Sequence, residues 1–138
     1  MNVLVGVDGS ESSRRAATFA RDVAKAFNAK LTFLHVVEPF PNAALTAFDE
    51  PYSQHYARQL ETGTVLLREL ADELGVSEAE QAIEMGRAGE VICREAQERN
   101  VDLIVVGSHG HGPSARLLLG SVGGRVATLA NRSVTIVR

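Results

Sequence analysis

The sequence predicts a three-layer α/β fold, with a mostly parallel five-stranded sheet between helices. Three observations lead there. Short apolar, β-branched runs alternate five times with stretches whose apolar residues recur at helical spacing. Two of these runs, 3–7 and 102–106, are apolar almost throughout, as in strands covered on both faces, and are expected at the sheet centre. The chain has 138 residues, 45% of them hydrophobic and 22% charged. That suits one globular domain over 1–138 with a real core.

The elements follow in order. "NVLVGV" (2–7) reads as a strand and "DGS" breaks it. Ser10 or Ser12 supplies a helix cap, with Glu11 acidic in the first turn. Ala16, Ala17, Ala20, Val23, Ala24 and Phe27 then mark one helical face, and Asn28 closes the helix. "KLTFLHVV" (30–37) is the second strand. Residues 38–52 hold three of the four prolines and read as a long loop overhanging the strand ends. A helix is expected over 53–74, with Leu60, Leu67, Leu70 and Leu74 inward and Gly75 ending it. "EQAIEMG" (80–86) alternates in the half-polar manner of an edge strand. A third helix spans 89–100, a fourth strand 101–107, a fourth helix 121–130 and a fifth strand 133–138. Crossovers between parallel strands are right-handed. In a doubly wound sheet the ligand crevice lies beyond the carboxyl ends of the strands where the winding reverses. With strands one and four adjacent there, Asp8 and Gly107 face each other across it.

Fourteen basic and seventeen acidic residues give a net charge of −3. This gives no overall attraction to nucleic acid. No apolar run reaches the length needed to span a bilayer, and the N-terminus lacks a signal-peptide pattern. The reading is a soluble cytoplasmic protein. The single cysteine, Cys93, cannot form an internal disulfide and reads as a buried structural thiol. His35, within a strand, reads as a satisfied core histidine, and His55 as exposed on a helix.

The loop "GSHGHGPSARLLLGS" (107–121) carries the chemistry. Its glycines let backbone N–H groups curl towards an anion. It ends at Gly120-Ser121, where a helix N-terminus offers further donors and a partial positive charge. Ser121 is placed to cap that helix or to donate to a phosphate oxygen. His109, His111, Arg116 and Arg125 add donors or cations, and the Leu117–Leu118–Leu119 run reads as core. Arg116 and Arg125 fit phosphate contacts and surface ion pairs equally well. Two histidines alone make a weak metal site, so no metal site is assigned. A Walker A loop is lacking. Gly110-x-Gly112-x-x-Ala115 imitates a dinucleotide fingerprint, but Pro113 interrupts it and no acidic residue follows Asp102 to hold a ribose.

Gly107-x-x-Gly110, nine residues, then Gly120-Ser121 resembles the Gly-2x-Gly-9x-Gly-Ser/Thr motif of the ATP-binding branch of the universal stress protein family. "VLVGVDGSESSRRA", "VDLIVVGSHGHG", "RLLLGSVGGRV" and "SVTIVR" extend the resemblance over the whole chain. It implies a Rossmann-like fold with strand order 3-2-1-4-5. It implies a site in which Val7 and Val36 flank adenine and Asp8 meets ribose or a metal-linked phosphate region. Gly107 and Gly110 would approach ribose and phosphates, with His109 alongside. Gly120, Ser121 and Val122 would hold the outer phosphates. Where family members often have a proline two residues before the aspartate, this chain has Gly6.

The function so implied is an ATP-binding stress-response regulator, with Mg2+ or Mn2+ accompanying the nucleotide and no catalytic residue. It would couple nucleotide occupancy to contacts in a homodimer, formed through the C-terminal edge strand, or to protein partners. Nucleic acid and membrane are not expected as partners. The alternatives are a slow ATPase or phosphotransferase, an AMP- or cyclic-AMP-binding protein, and a nucleotide-free partner-binding module. Asp8 is also explained as a brace for the first turn, a frequent place for aspartate.

Overall fold

The computed structural model of the chain describes residues 1–39, 51–109 and 119–138. Among the described residues nine elements alternate: β1 (Asn2–Gly6), α1 (Glu11–Phe27), β2 (Lys30–Val37), α2 (Tyr52–Glu73), β3 (Glu80–Met85), α3 (Ala88–Glu98), β4 (Leu103–Gly107), α4 (Ser121–Leu129) and β5 (Ser133–Val137). The sheet is parallel, in the order β3-β2-β1-β4-β5. The expected elements are all present, and the expected boundaries differ by one or two residues at several ends, as fraying ends do.

The sheet twofold alternation sorts the core. Val3, Val5, Val7, Leu31, Phe33 and Val105 face α1 and α2. Leu4, Leu34, Ile104 and Val106 face α3 and α4. Both faces are therefore covered, and β1 and β4 are central and buried, as their sequences predict. Four buried alanines of α1, Ala16, Ala17, Ala20 and Ala24, let that helix lie close to β1 and β4.

Local signals explain the helix ends. Ser10, extended, is the N-cap of α1, its hydroxyl accepting from Ser13 N at 3.1 Å. Asn28 ends α1 in the left-handed region at φ 48°, a conformation asparagine tolerates. Leu74 caps α2, and Gly75 follows at φ +66°. Burial departs from expectation in several places. Phe27, expected on the apolar face of α1, is 67% exposed. Leu60 is half-buried while Leu67, Leu70 and Leu74 are buried. His55 is half-buried, because α2 packs near β2 on that side. Cys93 is half-buried against the α3–α4 core, and burial pushes its thiol up from the usual value. Leu119 is 43% exposed, so it is not core. Leu117 and Leu118 lie outside the described residues, as does most of the 38–52 loop.

Candidate functional site

The carboxyl ends of β1 and β4 form a cleft open to solvent. Gly6, Val7 and Asp8 line it from β1, Leu34 and Val36 from β2, and Gly107, Ser108 and His109 from β4. Ala88 and Ile92 come from α3, and Gly120, Ser121, Val122 and Gly123 from the start of α4. The two strands whose connections run to opposite faces of the sheet, β1 and β4, are neighbours here. The cleft thus lies at the topological switch point. Eight of the nine expected site residues line it. Gly110 lies outside the described residues, as do His111 and Arg116.

The turn after β1 is braced by local hydrogen bonds. The Asp8 Oδ1 accepts from Ser10 N at 2.9 Å, and the Asp8 N–H donates to Ser13 Oγ at 3.3 Å. Gly9 takes φ +83° between them. Asp8 is therefore both brace of this turn and an exposed carboxylate at the cleft edge. Among the described lining residues it is the one carboxylate.

Gly107 has a structural reason that spacing does not reveal. A Cβ there would fall 2.5 Å from Ser12 Oγ and 2.8–2.9 Å from the Ser12 carbonyl group. The end of β4 thus presses on the first turn of α1. The contact is then used: His109 N donates to Ser12 Oγ at 3.3 Å. Ser108 N donates to Val137 O at 2.8 Å, and Gly120 N to Ser108 O at 2.7 Å. Both ends of the 108–120 connection are so anchored to the sheet. The Ser108 Oγ and His109 Nδ1 lie 2.7 Å apart.

Helix α4 opens onto the cleft. Its capping position is Gly120, which brings no side-chain acceptor, so Ser121 is the first helical residue rather than the cap. The first-turn N–H groups of a helix have no intrahelical partner and favour an anion. Arg125 is engaged elsewhere: its Nε lies 3.0 Å from Glu90 Oε1 and its stem crosses Gly89, where a Cβ would meet Arg125 Cγ at 2.6 Å. It staples α4 to α3. Glu90 is held below the usual carboxylate range, first by backbone hydrogen bonding at the start of α3 and then by Arg125.

Ser12, Ser13, Ser108, Ala88 and Ile92 escape the sequence reading. Ser12 and Ser13 stand at helix-start positions that look like capping alone, and Ser108 is hidden beside Gly107. Ala88 and Ile92 come from a segment far in sequence from both loops. Among the described residues no group of three or more metal-ligating side chains converges, and no helix is long and apolar enough to cross a membrane.

Chemically, the cleft joins an apolar wall of Val7, Leu34, Val36, Ile92 and Val106 to a polar end of hydroxyls and helix N–H groups. The class so defined is an open α/β protein whose switch-point cleft suits a ligand with one flat apolar part and one anionic part. The sequence model of the universal stress protein family matches residues 1–138. The chain belongs to that family. A universal stress protein of Staphylococcus aureus strain USA300 is 33% identical over 141 residues, covering 99% of this chain and 83% of the relative. The universal stress protein UspA from Lactobacillus plantarum superposes with a TM-score of 0.86 at 26% identity, covering 100% of this chain and 97% of its own. A universal stress protein solved in complex with cAMP superposes with a TM-score of 0.65 at 29% identity, covering 100% and 96%.

Proposed function

We propose that the protein is an ATP-binding regulator of the universal stress protein family, acting as a single domain. The observation that carries this reading is the pairing of a glycine-capped helix N-terminus with an apolar wall across one cleft. In this reading Val7 and Val36 sandwich adenine, and Asp8 meets the ribose. Gly107 and Gly110 approach ribose and phosphates, with His109 as a neighbouring donor. Gly120, Ser121 and Val122 receive the outer phosphates at the start of α4. A bound Mg2+ or Mn2+ would be held by phosphate and water oxygens, with Asp8 near.

Asp8 is already hydrogen-bonded into its own turn, which suits a binding role better than that of a catalytic base. Hydrolysis is accordingly slow or nil; linear ATP turnover that disappears in Asp8→Ala would overturn this. Occupancy is read out through a homodimer built on β5, an edge strand with half-buried Val134 and Ile136, or through protein partners in the cytoplasm. Sedimentation with and without nucleotide tests that coupling.

A second reading, cyclic AMP in the same cleft, is favoured by the 29%-identical relative solved with cAMP. One experiment separates the two. The protein is purified without added ligand and denatured, and the supernatant is resolved by anion-exchange chromatography, followed by calorimetric titration with ATP and cyclic AMP. A near-stoichiometric ATP peak supports the first reading. Preference for cyclic AMP supports the second. No released nucleotide and no saturable binding of either would overturn both.

A further inference from the structure

The imidazole of His35 joins Val7, a residue of the cleft lining, to helix α2. Its Nδ1 lies 2.7 Å from the carbonyl oxygen of Val7. A carbonyl oxygen only accepts, so Nδ1 carries the proton and donates. The opposite edge of the ring faces α2 at Gly63: a Cβ there would lie 2.6 Å from His35 Cδ2 and 3.3 Å from Nε2. Gly63 is buried in the middle of a 22-residue helix, where glycine is otherwise unfavourable. The glycine makes the notch that admits the ring.

The bond also ends a ladder. The β1–β2 pairing runs to Gly6↔Leu34, and Val7 N still donates to Leu34 O at 2.8 Å. Were the parallel ladder to continue, the next donor to Val7 O would be the Val36 N–H. His35 Nδ1 takes that acceptor instead. Val7, which lines the cleft together with Val36, is thereby held by both of its backbone groups.

We propose that His35 is a positioning residue for the ligand cleft, fixing the Val7–Asp8 edge through Val7 O and linking that edge to helix α2 through the notch at Gly63. Its consequence for ligand affinity rests on the nucleotide-binding reading above; its consequence for the β1 edge does not. A displacement of α2 at Gly63 then reaches the cleft without any contact between α2 and the ligand.

The test uses the whole chain and four proteins: the parent, His35→Leu, His35→Asn and Gly63→Ala. Asparagine keeps a donor near the Nδ1 position, whereas leucine keeps bulk and no donor. Amide hydrogen exchange at Val7 and Asp8 is measured without ligand, and cyclic AMP and ATP affinities by calorimetry. His35→Leu should speed exchange at both amides and weaken binding about tenfold, the scale of one lost hydrogen bond. His35→Asn should recover most of both. Gly63→Ala, which helix propensity alone would make stabilising, should weaken binding while leaving α2 folded by circular dichroism. Unchanged Val7 and Asp8 exchange in His35→Leu, or no recovery in His35→Asn, would overturn the proposal. If the parent binds neither nucleotide, the nucleotide reading fails, and the exchange data alone decide on His35: faster exchange rescued by asparagine supports it, and unchanged exchange sinks it.

Discussion

The two ends of the sheet are built from different chemistry. At the amino end charges meet charges. Glu80 of β3 takes Lys30 at 2.9 Å and pairs with Arg99. Glu95, only 4% exposed, takes Arg99 at 2.9 Å and Arg94 at 3.1 Å. Asn2 N donates to Asp102 at 2.7 Å. At the carboxyl end the lining joins the apolar wall to glycine, hydroxyl, His109 and one aspartate. Opposite charges at the amino end satisfy one another and bind the elements together. At the carboxyl end, glycines bring main chain close and helix α4 brings donors without a side-chain cap. The first arrangement is complete in itself, and the second is shaped to receive something.

Substitutions at the two ends should therefore separate stability from binding. The largest effect is expected for Gly107→Val. Its Cβ would collide with Ser12 backbone, so urea denaturation should report a loss of about 3 kcal/mol, the upper range for overpacking. Nucleotide affinity should fall with it, because the His109–Ser12 bond is displaced. A Gly107→Val protein as stable as the parent would show that α1 yields there.

Arg99→Met comes next. It leaves the buried Glu95 with Arg94 alone, and a loss of about 2 kcal/mol is expected, below the full cost of orphaning a buried charge because one partner remains. Nucleotide affinity should not change. A parallel fall in affinity would break the division between the two ends.

The same network sets an acid response. Hydrogen bonding from Lys30, then from Arg99, holds Glu80 below the usual carboxylate range despite opposing desolvation. A carboxylate depressed in the folded state stabilises above its unfolded value of about 4.3. That contribution disappears as pH falls through the lower folded value. Lys30→Met should flatten the loss of stability below about pH 4.3, measured by urea midpoints. An unaltered acid profile would count against the pairing.

The smallest effect belongs to Arg125→Ala. The guanidinium is half exposed and paired with Glu90, so a cost under about 1 kcal/mol is expected. Affinity for nucleotide should stay within about twofold, well under one hydrogen bond. A tenfold drop would instead assign Arg125 to the phosphates.

Much of this was readable before any fold was known, and the reasons are local. Apolar alternation and helical spacing follow from which side chains must leave water, so all nine elements and the central places of β1 and β4 were legible. The Ser10 cap and the Asn28 exit depend on a few adjacent residues. The Gly107, Gly120 and Ser121 spacing, with Asp8, pointed to the cleft because backbone approach and helix donors have sequence signatures. Burial was less legible where it depends on how elements sit together, as at Leu60, His55, Cys93 and Leu119.

What the sequence alone determined is the order of elements, the faces they bury and the end of the sheet that holds the cleft. Those follow from periodicity and capping, which act over a few residues. Tertiary structure alone decided why Gly107 must be glycine, that Arg125 is committed to Glu90, and that His35 spans from Val7 O to Gly63. Each of these is a close approach between segments tens of residues apart. Nothing in local spacing records such an approach, because it exists only once both helical layers have closed on the sheet.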